Sequence, residues 1–125
     1  MKATELEQKV IERMLADRGL NPLRSRVDFA SVEVLDRWFS GVGFMAEFVD
    51  SEELQVFDAE VSLRWGDVGA RLNSERIETG YLVYVDAGRV STIEGYTYGD
   101  EWPEQVEKFE LYEIRLGEPL LNPPK

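Results

Sequence analysis

A chain of 125 residues that is 43% hydrophobic and 11% aromatic can bury about two-thirds of its unfolded surface in one domain, which excludes an intrinsically disordered chain. It has no cysteine, which rules out a disulfide framework and a thiolate zinc site. It also has no histidine, which removes Ser-His and Cys-His nucleophilic pairs, imidazole metal sites and the usual general base at neutral pH.

The start, MKATELEQKVIERM, carries a charge every two or three positions and lacks the apolar run of a signal peptide. Nowhere does the sequence approach the ~18 apolar residues that a membrane helix needs. A soluble, cytoplasmic protein is therefore expected. Thr4-Glu5-Leu6-Glu7 reads as a capping box, in which the Thr4 hydroxyl and the Glu7 carboxylate accept early backbone N–H groups. Leu6, Val10, Ile11, Met14 and Leu15 then form one apolar stripe, which predicts an amphipathic helix over residues 4–18. Gly19 is its expected C-terminal cap, and Pro22 prevents the helix from resuming.

After Arg26 β-branched and aromatic residues fall in short runs. Val32–Phe39, Phe44–Val49, Leu54–Phe57, Val68–Leu72, Tyr81–Val85, Val90–Tyr98 and Phe109–Leu116 are the candidate strands. The best hairpin joins Tyr81–Val85 to Arg89–Ile93 through Asp86-Ala87-Gly88, a three-residue loop with Gly88 as a left-handed bulge. That turn sets Tyr84 opposite Val90, Leu82 opposite Thr92 and Tyr81 opposite Ile93. Tyr81, Val83, Val85 and Ile93 then share the face that meets the helix. One helix followed by consecutive strands implies a single α+β domain over residues 1–125, the helix packed on a mostly antiparallel sheet of about six strands. The tail from Gly117 to Lys125 is proline-rich and expected to be extended.

The sequence offers no catalytic motif. It has no Gly-x-Ser-x-Gly elbow and no P-loop. Gly41-Val42-Gly43-Phe44-Met45-Ala46 matches a loose dinucleotide pattern but lacks the βαβ context that would make it a phosphate cradle. Phe44, Met45, Phe48 and Val49 would also suit one helical turn. In the acidic run from Asp50, Leu54 falls where a calcium loop needs an oxygen ligand and Gln55 where it needs glycine. No cofactor, no metal ligand and no catalytic residue is assigned. Glu94, placed mid-strand, reads as an ion-pair partner for an arginine.

The net charge of −11 is unevenly spread. From Asp28 to Glu60 nine acidic residues face Arg37 alone, and from Glu94 to Glu113 seven face Lys108 alone. Such a field repels phosphate backbones and anionic lipid surfaces and attracts cationic proteins, unless the acids merely solvate edges and loops. Nucleic-acid and membrane partners are disfavoured. The most distinctive stretch runs from Glu94 to Pro103, where Tyr96, Tyr98 and Trp102 stand among Asp100 and Glu101. Tyr and Trp are enriched in binding hot spots; the alternative is that these rings pack beneath a neighbouring strand and pin the loop to the core. The candidate partner-binding set is Glu52, Glu53, Asp58, Tyr96, Tyr98, Asp100, Glu101, Trp102 and Glu104.

Gly41-Val42-Gly43-Phe44, Gly66-Asp67-Val68, Gly80-Tyr81-Leu82-Val83-Tyr84-Val85, Gly88-Arg89, Ile93-Glu94-Gly95-Tyr96-Thr97-Tyr98-Gly99 and Trp102-Pro103 together resemble a family of small, mostly uncharacterised bacterial proteins. The resemblance covers about the C-terminal two-thirds of the chain. Some members resemble immunity proteins encoded beside contact-dependent or other polymorphic toxins, and the family implies no catalytic residues. Two expectations follow. The first is an acidic immunity protein that covers the active site of a basic toxin, a nuclease by the charge argument. The second is a small-ligand-binding or enzymatic domain with a pocket between helix and sheet, lined by Glu94, Asp67 and the tyrosines.

Overall fold

The computed structural model describes residues 1–16, 22–24 and 26–114. Its helix, α1 (Glu5–Leu15), starts where the capping box places it. The Glu7 N–H donates to Thr4 Oγ1 at 3.1 Å and the Thr4 N–H to Glu7 Oε1 at 2.8 Å. The helix ends at Leu15, the last residue of the apolar stripe, short of the 4–18 span expected. Ala16 already has extended backbone, and its N–H bonds back to the Glu12 and Arg13 carbonyls. Gly19, the expected cap, and the proline-rich tail from Gly117 lie outside the described residues.

Seven strands follow among the described residues: β1 (Val34–Phe39), β2 (Gly43–Phe48), β3 (Leu63–Trp65), β4 (Val68–Leu72), β5 (Ile77–Asp86), β6 (Arg89–Thr97) and β7 (Phe109–Glu113). They form one sheet in the order β1-β2-β6-β5-β4-β7. The ten residues of β5 hold β4 at one end and β3 at the other, and every pairing is antiparallel. The chain is thus an α+β fold, one N-terminal helix packed on an antiparallel sheet. No helix among the described residues is long and apolar enough to cross a membrane.

Two segments depart from the strand reading. Leu54–Phe57 is not a strand. The Ser51 hydroxyl accepts the Glu53 N–H and starts a 3₁₀ turn over Glu52–Leu54, after which the Val56 and Phe57 N–H groups both donate to the Gly88 carbonyl. The segment wraps the β5–β6 turn and adds one isolated bridge, Gln55 to Arg89. β3 carried no signal because three residues hold too little alternation to read.

The β5–β6 hairpin turns in two residues, not three. Ala87 (φ 51°) and Gly88 (φ 82°) are both left-handed, as a type I′ turn requires. Asp86 pairs with Arg89 and Val85 with Val90, and then a bulge sets Tyr84 opposite Thr92, Leu82 opposite Glu94 and Tyr81 opposite Gly95. The register is two residues from the predicted one. A shift of two leaves side-chain faces unchanged, so Tyr81, Val83, Val85 and Ile93 are all buried on the helix face.

That face meets Leu6, Val10, Ile11, Met14 and Leu15 of α1, and the core continues through Phe29, Val32, Leu54, Val56 and Phe57. Two polar devices lie within it. Glu7, 1% exposed, receives Arg37 Nε at 2.9 Å and Nη2 at 2.7 Å, a two-pronged pair that ties α1 to β1. Thr79 donates to the Ala70 carbonyl at 2.8 Å, so the Tyr81 hydroxyl, 2.8 Å from Thr79 Oγ1, is the donor of that second bond.

Candidate functional site

Everything described so far covers one face of the sheet. Strand alternation turns the complementary side chains to the other, where Trp38 and Tyr98 are exposed and Met45, Leu82, Tyr84, Glu94, Tyr96 and Tyr112 are half-buried. Cross-strand pairing lines up Trp38 (β1), Met45 (β2), Glu94 (β6) and Leu82 (β5) in one row. The next row runs Gly43, Tyr96, Gly80, Gly69 and Tyr112 across five strands. The glycines make room for rings. A side chain at Gly80 would collide with Tyr96 and the Tyr98 hydroxyl, and one at Gly69 with the Tyr112 ring. Aromatic rings laid over strand glycines restore contacts that glycine cannot make.

The polar groups of this face are organised around the tyrosines. Tyr96 and Tyr98 meet edge to face, ring centroids 5.6 Å apart. The Tyr112 hydroxyl donates to Glu78 Oε1 at 2.5 Å, Arg71 Nε donates to Glu78 Oε2 at 2.8 Å, and the Arg71 guanidinium lies 4.4 Å over the Tyr112 ring. Burial raises the pKa of Tyr96, Tyr98 and Tyr112, and the Glu78 carboxylate raises the last two further. Glu94 accepts the Tyr84 hydroxyl at 3.0 Å. The ion pair expected for Glu94 is not there: it makes none among the described residues, and Arg64 approaches the Tyr84 hydroxyl instead, from the neighbouring strand.

The face is hollowed on both sides of Met45. One hollow, about 260 Å³, lies between Trp38, Val42, Gly43 and Met45 on one side and Glu94 and Tyr96 on the other. The other, about 580 Å³, is bounded by Met45, Arg64, Tyr84 and Thr92. A third cleft of about 510 Å³ lies on the helix side, between the start of α1 and the loop before β7, walled by Glu7, Arg37, Phe44, Trp102 and Val106. Glu94, Asp67, Tyr96 and Tyr98 do not line that helix–sheet cleft. The strand parity that buries Ile93 turns Glu94, Tyr96 and Tyr98 to the opposite face. Among the described residues no group of three or more carboxylates is placed to hold a metal ion.

The residues singled out from sequence are distributed over two faces and two ends. Tyr96 and Tyr98 stand on the open face, Tyr98 41% exposed. Trp102 is on the helix side, where its ring lies 5.1 Å from Phe44 and 6.4 Å from Tyr81 and its backbone N–H donates to the Gly41 carbonyl. Glu52, Glu53 and Asp58 lie beside the turn that begins β6. Asp100, Glu101 and Glu104 follow its far end, about 25 Å away at ~3.3 Å per residue. Glu53 is held by Arg24 at 2.8 Å and by the Asp28 N–H at 3.0 Å, while Glu52, Asp58, Asp100, Glu101 and Glu104 are exposed. The Gly41-Val42-Gly43 motif is the β1–β2 turn, closed by the Ser40 N–H on the Gly43 carbonyl with no helix after it, so it cradles no phosphate.

Trp38, Met45, Tyr84 and Tyr112 were not singled out. A bulge between Val34 and Asp36 is the reason for Trp38. Uninterrupted alternation from buried Val34 would send Trp38 inward; the extra residue reverses the phase and leaves it 47% exposed on the open face. Tyr112 carried a legible signal, since it shares the phase of Glu110 and not that of Leu111.

No family model, curated protein or solved structure matches the chain, so the site is read from its own geometry and chemistry.

Proposed function

We propose that the chain is an acidic protein-binding module of the immunity type, which neutralises a basic toxin, a nuclease by its charge, by covering its active site. The open sheet face is the surface that makes the contact. One observation carries this reading: a hollowed sheet face presents the exposed or half-buried Trp38, Met45, Tyr84, Tyr96, Tyr98 and Tyr112 together. Tyrosine and tryptophan supply large contact area with few rotors to freeze, and such residues form the centres of protein interfaces. The net charge of −11 favours a basic partner. Arg71 and Arg76 do not oppose this, because Glu78 and Glu110 pair with them. The sequence resemblance to immunity-like proteins points the same way.

The test is affinity capture from the native host with mass spectrometry, followed by reconstitution of the recovered protein with recombinant chain. A basic partner that binds one-to-one and loses its nuclease activity in the complex supports the reading. A partner of other charge, or a complex that leaves that partner's activity intact, contradicts it.

A small-ligand reading keeps one observation of its own, the 510 Å³ cleft beside Trp102. Its charged wall residues, Glu7 and Arg37, are spent on each other and on the helix cap. Binding of a small ligand there would raise the melting temperature with ligand concentration, and a compound screen by thermal shift reads it directly.

A further inference from the structure

The 260 Å³ hollow on the open face has a chemistry of its own. Trp38 and Glu94 flank Met45 in one cross-strand row. Two inter-strand spacings separate their backbones, about 10 Å, which leaves room for one side-chain head above the Met45 thioether. Gly43, opposite Tyr96, has no side chain to fill the space, and a Cβ there would collide with the Gly95 carbonyl. The notch is therefore bounded by an indole, a phenol ring, a thioether and a carboxylate.

Two of these boundaries select the same ligand. Indole and phenol faces attract cations through the ring quadrupole. Glu94 is a half-buried carboxylate whose described bond comes from a neutral hydroxyl, that of Tyr84; Arg64, the cross-strand neighbour of Tyr84, approaches that hydroxyl, and no described ion pair engages Glu94 itself. An anionic or plain apolar head would leave that carboxylate desolvated with only the Tyr84 hydroxyl to compensate it. Of the cationic heads, a guanidinium fits best, because it is planar, stacks on an indole and can bond a carboxylate with two N–H groups at once.

We infer that the notch between Trp38 and Tyr96 receives an arginine side chain of a basic partner protein, stacked on Trp38 and bonded to Glu94. The inference rests on the reading of the open face as a protein interface and names the contact at its centre. Tyr84 is a positioning residue in it, because its hydroxyl holds the Glu94 carboxylate in place.

The experiment uses a tripeptide, acetyl-Gly-Arg-Gly-amide, and its counterpart with citrulline, which keeps the shape and loses the charge. Each is titrated into the full chain and followed by NMR at the Trp38 indole N–H and the Met45 methyl group. The arginine peptide should move both signals along a saturable curve and the citrulline peptide should not. Glu94→Gln should weaken the arginine curve about tenfold, the loss of one charge-assisted contact, and Trp38→Ala should abolish it at unchanged melting temperature. Unmoved Trp38 and Met45 signals, equal curves for the two peptides, or shifts centred on Glu52, Asp58 and Glu101 would overturn the inference. Because the peptide stands in for no particular partner, this result is independent of the interface reading. A basic partner that binds Glu94→Gln as tightly as the parent chain but loses affinity for Trp38→Ala removes the arginine contact and leaves that reading standing.

Discussion

Trp38 and Trp102 carry the same ring into opposite environments. Trp102 presses on Phe44 and Tyr81 at the margin of the core, so Trp102→Ala should cost ~3 kcal/mol through the cavity it leaves, read by chemical denaturation. Trp38 is 47% exposed on the open face and should be removable at little cost in stability. Glu7 is the residue least tolerant of losing its partner. Arg37→Met would leave a buried carboxylate with only the Thr4 N–H, and about 3–5 kcal/mol of stability should disappear. A loss under 1 kcal/mol would mean that water reaches Glu7 easily and that the pair is no lock. At this scale the sequence was partly readable. The capping box named Thr4 and Glu7 and their bonds, but nothing local marked Arg37 as the distant partner of Glu7, thirty positions on.

The sheet is where tyrosine chemistry becomes a property of an element. Tyr81 of β5 lies fully buried in the core beside Thr79 and Trp102, and burial raises its pKa well above the ordinary value of 10, as it does for Tyr98 and Tyr112. Above pH 10 the unfolded chain releases these protons and the folded one retains them. The unfolded state then binds fewer protons, so stability falls as pH rises. It is fully present below pH 10 and lost through the alkaline range. Tyrosinate absorbance should therefore appear with unfolding; five tyrosines titrating together near pH 10 in a chain that keeps its near-UV spectrum would contradict this. A second element-level prediction concerns the glycine floor. Gly80→Val should displace Tyr96 and Tyr98, cost about 1–3 kcal/mol as an overpacked site and move both ring signals in NMR.

The same elements show what periodicity can and cannot convey. The turn glycine Gly88 and the alternating run Tyr81–Val85 revealed the β5–β6 hairpin and its buried face, because an error of two in register preserves parity. The bulge between Val34 and Asp36 was invisible, and one inserted residue was enough to hide that Trp38 stands on the open face. Leu54–Phe57 had strand-like composition, yet the Ser51 cap and the Gly88 carbonyl took its N–H groups. Tertiary hydrogen bonding decided that segment, and tertiary partners are not written in a local run.

For the whole molecule, the proposed function divides the work between charge acting at a distance and the open face acting in contact. The acidic segments around Glu52 and Glu101 flank opposite ends of β6 and cannot share one small epitope. They can still steer a basic partner, with a reach of ~8 Å at physiological ionic strength. Reversing Glu52, Glu101 and Glu104 to lysine should slow association with that partner, mainly at low salt, and leave dissociation almost unchanged. An effect of equal size on dissociation would place those carboxylates inside the contact.

The central claim, that the open sheet face and not the Trp102 loop makes the contact, is tested most directly by the dissociation constants of Trp38→Ala and Trp102→Ala for the captured basic partner, each measured beside its melting temperature. The account predicts that Trp38→Ala weakens binding about thirtyfold or more, the ~2 kcal/mol of a hot spot, with its melting temperature unchanged. It predicts that Trp102→Ala melts about 10 °C lower while its folded fraction binds as the parent chain does. The reverse pattern, with Trp102→Ala impaired in binding and Trp38→Ala indistinguishable from the parent, would contradict it.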